Sequence, residues 1–192
     1  MTRTQSELVA VASIRPARAA DLPALGDFFT GLSVQSRYLR FFSPITPGPA
    51  LLEVLCGGCG TTDAVLATRG DAIIGHAMAA DRPGPDGALT TDFGVVVADA
   101  WQRQGVGSAL VRALVAGAQV RGVTSVTMDV MHGNDRALAM IKSHWPAARS
   151  RRSSYYATIC VQLVDYQERQ PPKPPARPLT RHSAPLAAAG HR

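Results

Sequence analysis

A strand, a glycine-bearing turn and a helix follow one another between residues 91 and 122, and this succession constrains the fold most. The apolar run from Phe93 to Val97 has the composition of a buried strand. The turn from Gln102 to Ser108 reads QRQGVGS, and after it apolar residues recur at helical spacing from Ala109 to Ala118. The sequence therefore predicts a strand that leads through a tight turn into an amphipathic helix.

The turn from Gln102 to Ser108 is suited to binding phosphate. The first N–H groups of a helix have no partner within it and lie at the positive end of its dipole. Gly105 and Gly107 have no Cβ, so a ligand can approach the backbone closely. Two nucleotide motifs are excluded. No Lys follows either glycine, as a P-loop requires, and Leu110 stands where the dinucleotide fingerprint has its third glycine.

The remaining pattern, Q-x-x-G-x-G and a small residue after an apolar strand, resembles the acetyl-CoA-binding motif of the GNAT superfamily of N-acetyltransferases. The resemblance implies a mixed, mostly antiparallel central sheet flanked by helices, an α/β (α+β) fold in which splayed strands form the cofactor cleft. The alternative is a strand-to-helix turn without a ligand. Acetyl-CoA is the implied co-substrate, and the residues implied to bind it are Val95, Val96, Val97, Gln102, Arg103, Gln104, Gly105, Val106, Gly107, Ser108 and Asn134.

A second resemblance concerns the segment IRPARAADLPALGDFFTGLSVQSRYLRFFSP. It is similar to the opening of a GNAT subgroup that includes bacterial protein-lysine acetyltransferases, which carries I-R-P and then L-S-x-x-S-x-x-x-R-F-F. The likeness extends over about residues 13 to 146, and it implies that the acceptor is an amine, with a protein lysine favoured over a small molecule. From packing alone, two phenylalanines at these places would attach a helix to the sheet. The matching residues are Leu32, Ser33, Ser36, Arg40, Phe41 and Phe42.

Acyl transfer to an amine needs a group that removes a proton, because a free lysine has a pKa near ~10.4. The lysine-acetylating relatives carry a Glu in an E-F-A-V-V-V pattern, and this chain has Asp92-Phe93-Gly94-Val95-Val96-Val97. The resemblance thus implies Asp92 as the general base, acting through a water because its side chain is one methylene shorter. The alternative is that Asp92 is a solvated residue at the strand edge.

Two departures from the family pattern support other functions. Many GNAT enzymes have a Tyr seven residues after the Asn, as general acid toward the leaving thiolate, and this chain has Ile141. Asp92 in place of Glu and Ile141 in place of Tyr support a second hypothesis, a non-catalytic acyl-CoA-binding sensor module, beside an acetyltransferase that acts on a small-molecule amine. Trp145-Pro146 also replaces the usual Gly-Phe after the helix and bears on where that helix ends.

The other patterns predict the remaining elements. We expect a helix from Asp21, a second from Ser33 and others over 50–55, 105–121 and Asn134 to His144. Asp81 to Gly87 is expected to be a loop, and so is the basic stretch that contains Arg149, Arg151 and Arg152. The remaining strands are expected over 11–15, 65–68, 72–78, 89–97, 123–130 and 155–164.

The length of 192 residues and the hydrophobic content of 46% fit one packed domain with extensions. We expect a flexible leader over 1–12, the acetyltransferase domain over 13–165 and a disordered, proline-rich, basic tail over 166–192. That tail has five basic residues and one acid, so four of the six net positive charges lie in it, and the domain is only mildly basic. This argues against nucleic acid as a partner.

No apolar run is long enough to cross a membrane, and the first 12 residues lack the apolar core of a signal peptide. The sequence therefore predicts no membrane association and, by default, a cytoplasmic location. Cys56 and Cys59 have the spacing of metal ligands, but a structural zinc site needs a second pair, and Cys160 stands alone. We expect three reduced cysteines and no metal.

Overall fold

The computed structural model describes residues 12–58, 60–84 and 87–167. In these residues a sheet of seven strands has the order β1-β2-β3-β4-β5-β7-β6. Strands β4 and β5 run parallel, and every other neighbouring pair is antiparallel. The strands are β1 (Ser13–Pro16), β2 (Thr62–Arg69), β3 (Ala72–Pro83), β4 (Leu89–Val97), β5 (Ser125–Met131), β6 (Arg149–Arg152) and β7 (Tyr156–Gln162).

Five α-helices accompany this sheet in the described ranges, and local sequence accounts for where they begin. Ser33 accepts a hydrogen bond from the Ser36 N–H, and Asn134 accepts one from the Ala137 N–H, so each caps a helix. Proline near the start supports the first and third helices. The helices are α1 (Leu22–Gly31), α2 (Val34–Phe41), α3 (Pro49–Leu55), α4 (Val106–Val120) and α5 (Asp135–His144).

Two apolar clusters cover the sheet from opposite sides. The larger one packs α4 against β2, β3 and β4, with Leu110 and Leu114 fully buried. The smaller one packs α1 and α3 against the other face through Leu25, Phe29 and Leu55. Strand β4 contributes to both, because Phe93 belongs to the first cluster and Val96 to the second. This strand therefore lies at the centre of the molecule.

The predicted α/β fold with a mixed, mostly antiparallel sheet is confirmed, and two segments correct the sequence interpretation. Strand β3 continues through Asp81 to Pro83, where a loop was expected, because it pairs with the start of β4 as far as Leu89. The basic stretch Arg149–Arg152 is the edge strand β6 and pairs with β7. Its residues are all exposed, so no apolar alternation marked it as a strand.

Several expectations fall outside the described residues. They concern Cys59, residues 1–11 of the leader expected over 1–12, and residues 168–192 of the tail expected over 166–192. Within the described part of the chain, no helix has the length and apolar character that a bilayer crossing requires. Those same residues contain no group of three or more His, Cys, Asp or Glu side chains that could hold a metal ion, and Cys56 and Cys160 are free thiols.

Candidate active site

The two parallel strands in the middle of the sheet separate soon after they meet. Strand β4 pairs with β5 only where Thr90, Thr91 and Asp92 face Ser125–Thr127. On its other edge β4 pairs with β3 along its whole length, as far as Val97 opposite Gly75. From Phe93 to Val97, the edge that faces β5 thus has no strand partner among the described residues. The splayed strands expected from the sequence are present, and they leave backbone polar groups of β4 available to a ligand.

A cavity of about 490 Å³ lies along this open edge. Helix α2 forms one wall, the turn before α4 forms one end, and the first turns of α5 form the opposite wall. Its lining residues are Gln35, Ser36, Leu39, Arg40, Val95, Val96, Val97, Asp99, Gln102, Arg103, Gly105, Gly107, Ser108, Asn134, Arg136, Ala137, Ala139 and Met140. A concave site of this volume is within the range that small molecules and cofactors occupy.

The turn before α4 presents backbone N–H groups to this cavity. Gly105 precedes the helix with φ 82°, a left-handed conformation that suits glycine. The first helical hydrogen bond runs from the Ala109 N–H to the Gly105 carbonyl at 3.0 Å. As the first N–H groups of α4, those of Val106, Gly107 and Ser108 precede this bond and have no acceptor within the helix. They lie at the positive end of the helix dipole, which is the arrangement that binds a phosphate.

Gly107 faces the opposite wall of the cavity at close range. A Cβ added to it would lie 3.3 Å from the Met140 sulfur and 3.8 Å from a Val97 methyl carbon. The gap between the turn and α5 is therefore narrow at this point, and a side chain there would fill it. Arg103 also has a left-handed φ of 61°, so two positions of this short turn leave the usual backbone regions.

Most of the residues that the motif implicated are brought together, and two are not. Val95, Val96, Val97, Gln102, Arg103, Gly105, Gly107, Ser108 and Asn134 all line the cavity. The Gln104 side chain turns away and donates to the Ala100 carbonyl at 2.7 Å. The Val106 side chain is buried in the larger apolar cluster, so only its backbone N–H is available at the turn.

Gln102 has a structural task that sequence reasoning did not predict. Its Nε2 donates to the Val97 carbonyl and to the Ser36 hydroxyl, each at 3.1 Å, and its Oε1 accepts from Arg136. Its side chain therefore ties the turn to β4, α2 and α5. Asn134 caps α5 through its Oδ1, as the sequence predicted, and also lines the cavity.

Asp99 is a further residue of the site that the sequence did not single out. Its carboxylate accepts hydrogen bonds from the Ser33 N–H at 3.0 Å, the Ser33 hydroxyl at 2.8 Å and the Ser36 hydroxyl at 2.7 Å. Burial opposes ionisation of this group, but the three hydrogen bonds outweigh it, so the pKa of Asp99 lies below its usual value. Asp99 thus anchors the start of α2 beside the turn. No spacing pattern links residues 33 and 99, so sequence reasoning had no signal from which to predict this contact.

A second cavity, of about 420 Å³, adjoins the first and shares part of its walls. The two have six lining residues in common, namely Leu39, Arg40, Val95, Asn134, Ala137 and Met140. The second cavity reaches the point where β4 and β5 part, and it is also lined by Asp92, Gly94, Thr127, Asp129 and Ile141. The two cavities form one cleft, which we call the splay cleft, with the turn at one end and Asp92 at the other.

Asp92 is half-exposed and engaged in an ion pair. Its side chain is 47% exposed, and Arg82 on β3 contacts both carboxylate oxygens, at 2.9 Å and 3.2 Å. The pairing fixes the orientation of the carboxylate at the mouth of the cleft. Ile141, where many relatives have a Tyr, is buried in the wall of the same cavity. It has no group that could transfer a proton.

A mixed sheet with a parallel pair that splays, and a turn of unpaired amides at one end of the opening, define the fold and cleft of an acetyl-CoA-dependent N-acetyltransferase. A family model described as the acetyltransferase (GNAT) family matches residues 41–145, more than half of the chain. The chain therefore belongs to the GNAT family, and acetyl-CoA is its co-substrate. No curated protein matches the chain.

Solved structures share the fold at low sequence identity. The GNAT domain of S. lividans PAT has a TM-score of 0.70 at 22% identity, covering 79% of this chain and 90% of that one. The acetyltransferase yncA from Salmonella typhimurium, solved with acetyl-CoA, has a TM-score of 0.63 at 15% identity, with coverages of 85% and 98%. The phosphinothricin acetyltransferase from Sinorhizobium meliloti, also solved with acetyl-CoA, has a TM-score of 0.63 at 17% identity, with coverages of 79% and 88%.

Proposed function

We propose that this chain transfers the acetyl group of acetyl-CoA to an amine that enters the splay cleft from the Asp92 end. The observation that carries the proposal is the loss of β4–β5 pairing after Asp92, which opens a cleft between the turn before α4 and the Asp92 carboxylate. The acceptor is a primary amine, either a protein lysine side chain or a small molecule.

The proposed placement of acetyl-CoA follows from where backbone donors are unpaired. The pyrophosphate would lie against the N–H groups of Val106, Gly107 and Ser108, and Arg103 would add a positive charge. The pantetheine arm would follow the free edge of β4 from Val97 to Val95, with Asn134 beside it. Backbone N–H groups of that edge could stabilise the negative charge that develops on the thioester oxygen.

The proposed chemistry needs one base and a leaving group. The amine loses a proton to Asp92, directly or through a water, and its nitrogen forms a bond to the thioester carbonyl carbon. The carbon–sulfur bond breaks, the nitrogen releases its second proton to solvent and becomes a neutral amide, and CoA leaves as a thiolate that takes a proton from solvent. A thiolate can leave unaided because thiol pKa values are near ~8.5. This fits a cleft in which Ile141 stands in place of a tyrosine.

Two variants test the proposal separately for binding and for chemistry. Gly107→Trp should weaken acetyl-CoA binding at least about 100-fold, because the indole would fill the narrow gap beside Met140. Asp92→Asn keeps the shape of the residue but cannot accept a proton. We expect it to bind acetyl-CoA normally and to lower kcat by about 100-fold or more.

Binding is measured by titration calorimetry with acetyl-CoA, and transfer is measured by mass spectrometry with labelled acetyl-CoA and a panel of amines and protein lysates. The control is Asp27→Ala, at an exposed position on α1. Unchanged affinity in Gly107→Trp would contradict the cofactor placement. Undiminished turnover in Asp92→Asn would remove Asp92 as the base. Binding without transfer to any amine would favour a sensor over an enzyme.

A further inference from the structure

Arg40, near the C-terminal end of α2, lies against the backbone of β4 at the centre of the splay cleft. A Cβ added to Gly94 would lie 2.5 Å from Nη2, 2.6 Å from Cζ and 2.9 Å from Nη1 of Arg40. The guanidinium thus occupies space that exists because residue 94 has no side chain. Arg40 lines both cavities of the cleft, so it stands where the acyl group and the acceptor would meet.

The charge of Arg40 has no partner of opposite sign in the part of the chain that the structure describes. Among the described residues it forms neither an ion pair nor a hydrogen bond, and its Nε is buried without an acceptor. Its guanidinium carbon lies 5.1 Å from the centre of the Phe41 ring. Burial lowers the pKa of Arg40 to about 10, so the side chain remains charged at neutral pH.

An uncompensated charge inside a protein destabilises the fold, so cores normally pair such a group or exclude it. His76 is a titratable group close to Arg40, and it does not neutralise the Arg40 charge. Burial and then the charge of Arg40 lower the pKa of His76 to about 3, and the imidazole is neutral. A planar cation of this kind, directed into an open cleft, matches a carboxylate ligand because it can form two parallel hydrogen bonds.

The location of Asp92 adds the second half of a recognition pattern. Asp92 and Gly94 are two residues apart on β4 and point to the same face of the sheet, about 6.6 Å apart along the strand. Both Asp92 and Arg40 line the second cavity. An acceptor with its amine at the Asp92 carboxylate and an anionic group at Arg40 would therefore be a compact molecule.

We propose that Arg40 binds a carboxylate of the acceptor, so that the acceptor is a small amino-acid-like amine rather than a lysine in a protein. The inference rests on the proposed function, because it places the amine at Asp92. The carboxylate bound by Arg40 could also belong to the acyl group of an acyl-CoA instead of the acceptor. The experiment below separates these two sources of the carboxylate.

The test compares acceptors that differ only in the carboxylate. Free L-amino acids are compared with the corresponding amino-acid amides. Nα-acetyl-lysine methylamide, whose ε-amine is free, represents a protein lysine. Each is assayed with acetyl-CoA and with succinyl-CoA, using the wild type, Arg40→Met and Gly94→Ala. Methionine fills a similar volume without charge, and the added Cβ of Gly94→Ala displaces the guanidinium tip.

We expect Arg40→Met to raise KM for a free amino acid by about 10- to 100-fold, as loss of a charge-assisted hydrogen bond does, and to leave KM for its amide unchanged. Gly94→Ala should change KM in the same direction. Arg40→Met should also keep or increase the thermal stability, because it removes a half-buried charge that has no ion-pair partner among the described residues. Arg40→Lys should recover part of the preference for the free amino acid.

Three results would overturn the inference. One is an equal KM for amino acid and amide in the wild type. Another is a uniform fall of kcat for both in Arg40→Met. The third is an Arg40-dependent preference for succinyl-CoA, which assigns the carboxylate to the acyl group.

Calorimetric titration of free amino acids into the CoA-saturated protein tests the Arg40 contact without turnover. Arg40-dependent binding there, combined with no transfer to any amine, would reject the proposed function and retain the carboxylate site.

Discussion

Single side chains in and around the splay cleft differ in what they contribute. Gln102 and Asp99 form several hydrogen bonds within the chain and hold the cleft together. Arg40 forms none among the described residues, and Asp92 is half-exposed at the opening. Residues with satisfied polar groups position the site, whereas those with unsatisfied or exposed groups are available to a ligand. Asp92 and Arg40 are therefore the residues on which activity and acceptor choice should depend.

The buried His76 makes stability depend on pH. Its pKa falls from 6.5 to about 3, first because of burial and then because of the Arg40 charge, and its Nε2 lies 2.7 Å from the Leu55 carbonyl. Because the folded pKa is depressed, the unfolded chain binds this proton more readily. Stability should therefore fall as the pH drops below 6.5. The loss approaches about 1.4 kcal/mol for each pH unit.

His76→Gln removes the titrating group and keeps a donor for the Leu55 carbonyl. Urea unfolding at about pH 7 and about pH 5 measures the effect, and the variant should lose less stability between these two values than the wild type. The carboxylates contribute mainly at lower pH and do not obscure the comparison. Equal losses in the two proteins would mean that His76 is accessible to protons in the folded state.

At the scale of elements, the site depends on how α2 is attached to the turn before α4. Asp99 and Gln102 both contact Ser36, so the helix that carries Arg40 is held by the segment that would bind acetyl-CoA. The hydrogen bonds of Gln102 to α2, β4 and α5 converge in the same place. Movement of α2 should therefore affect both the affinity for acetyl-CoA and the choice of acceptor.

Asp99→Ala removes the acceptor of three hydrogen bonds at the start of α2. Because the residue is exposed, we expect only about 1 kcal/mol of lost stability. Acetyl-CoA affinity should fall severalfold, since α2 and the turn lose a common anchor. Calorimetry and urea unfolding measure the two effects, with Asp27→Ala on α1 as the charge-matched control. The stability difference should shrink in acid, because a depressed pKa gives stability that is lost as pH falls. An affinity equal to that of the control would disprove the coupling.

Local sequence determined most element boundaries. Ser33 and Asn134 cap the helices that they were expected to cap, and Gly122 takes a left-handed φ of 76° just after α4. The basic strand β6 was missed because its pairing with β7 is a tertiary contact, and all four of its residues are exposed. A strand at a charged edge gives no periodic signal.

At the scale of the whole molecule, one cation connects the end of the central helix to two strands. Arg121 follows α4 and contacts Asp81 on β3 at 2.6 Å and Asp63 on β2 at 2.7 Å. Burial disfavours the ionised form of Asp81, but the hydrogen bond and the charge of Arg121, together with further hydrogen bonding, outweigh it and lower the pKa of that carboxyl. The pair therefore stabilises the fold at neutral pH and loses that contribution as the pH falls.

Arg121→Met should lower the free energy of unfolding by about 1–2 kcal/mol, a value reduced for the partial exposure of the three side chains. Because the interaction is electrostatic, the difference from the wild type should decrease at about 1 M salt. Urea unfolding at low and high salt measures it, with Arg151→Met on the exposed edge strand as the control. A difference that is independent of salt would assign the effect to lost packing instead.

The sequence by itself determined the central part of this protein, because strand, turn and helix are adjacent in the chain. Local periodicity, glycine positions and capping residues are sufficient to specify them. The splaying of strands was expected from the family resemblance, but only the tertiary structure showed that β4 leaves β5 after Asp92. The anchoring of α2 by Asp99 and the position of the Arg40 guanidinium over Gly94 were not expected at all, and both depend on contacts between distant segments. No local pattern encodes such contacts, since burial and charge pairing are set by what the folded chain places beside each residue.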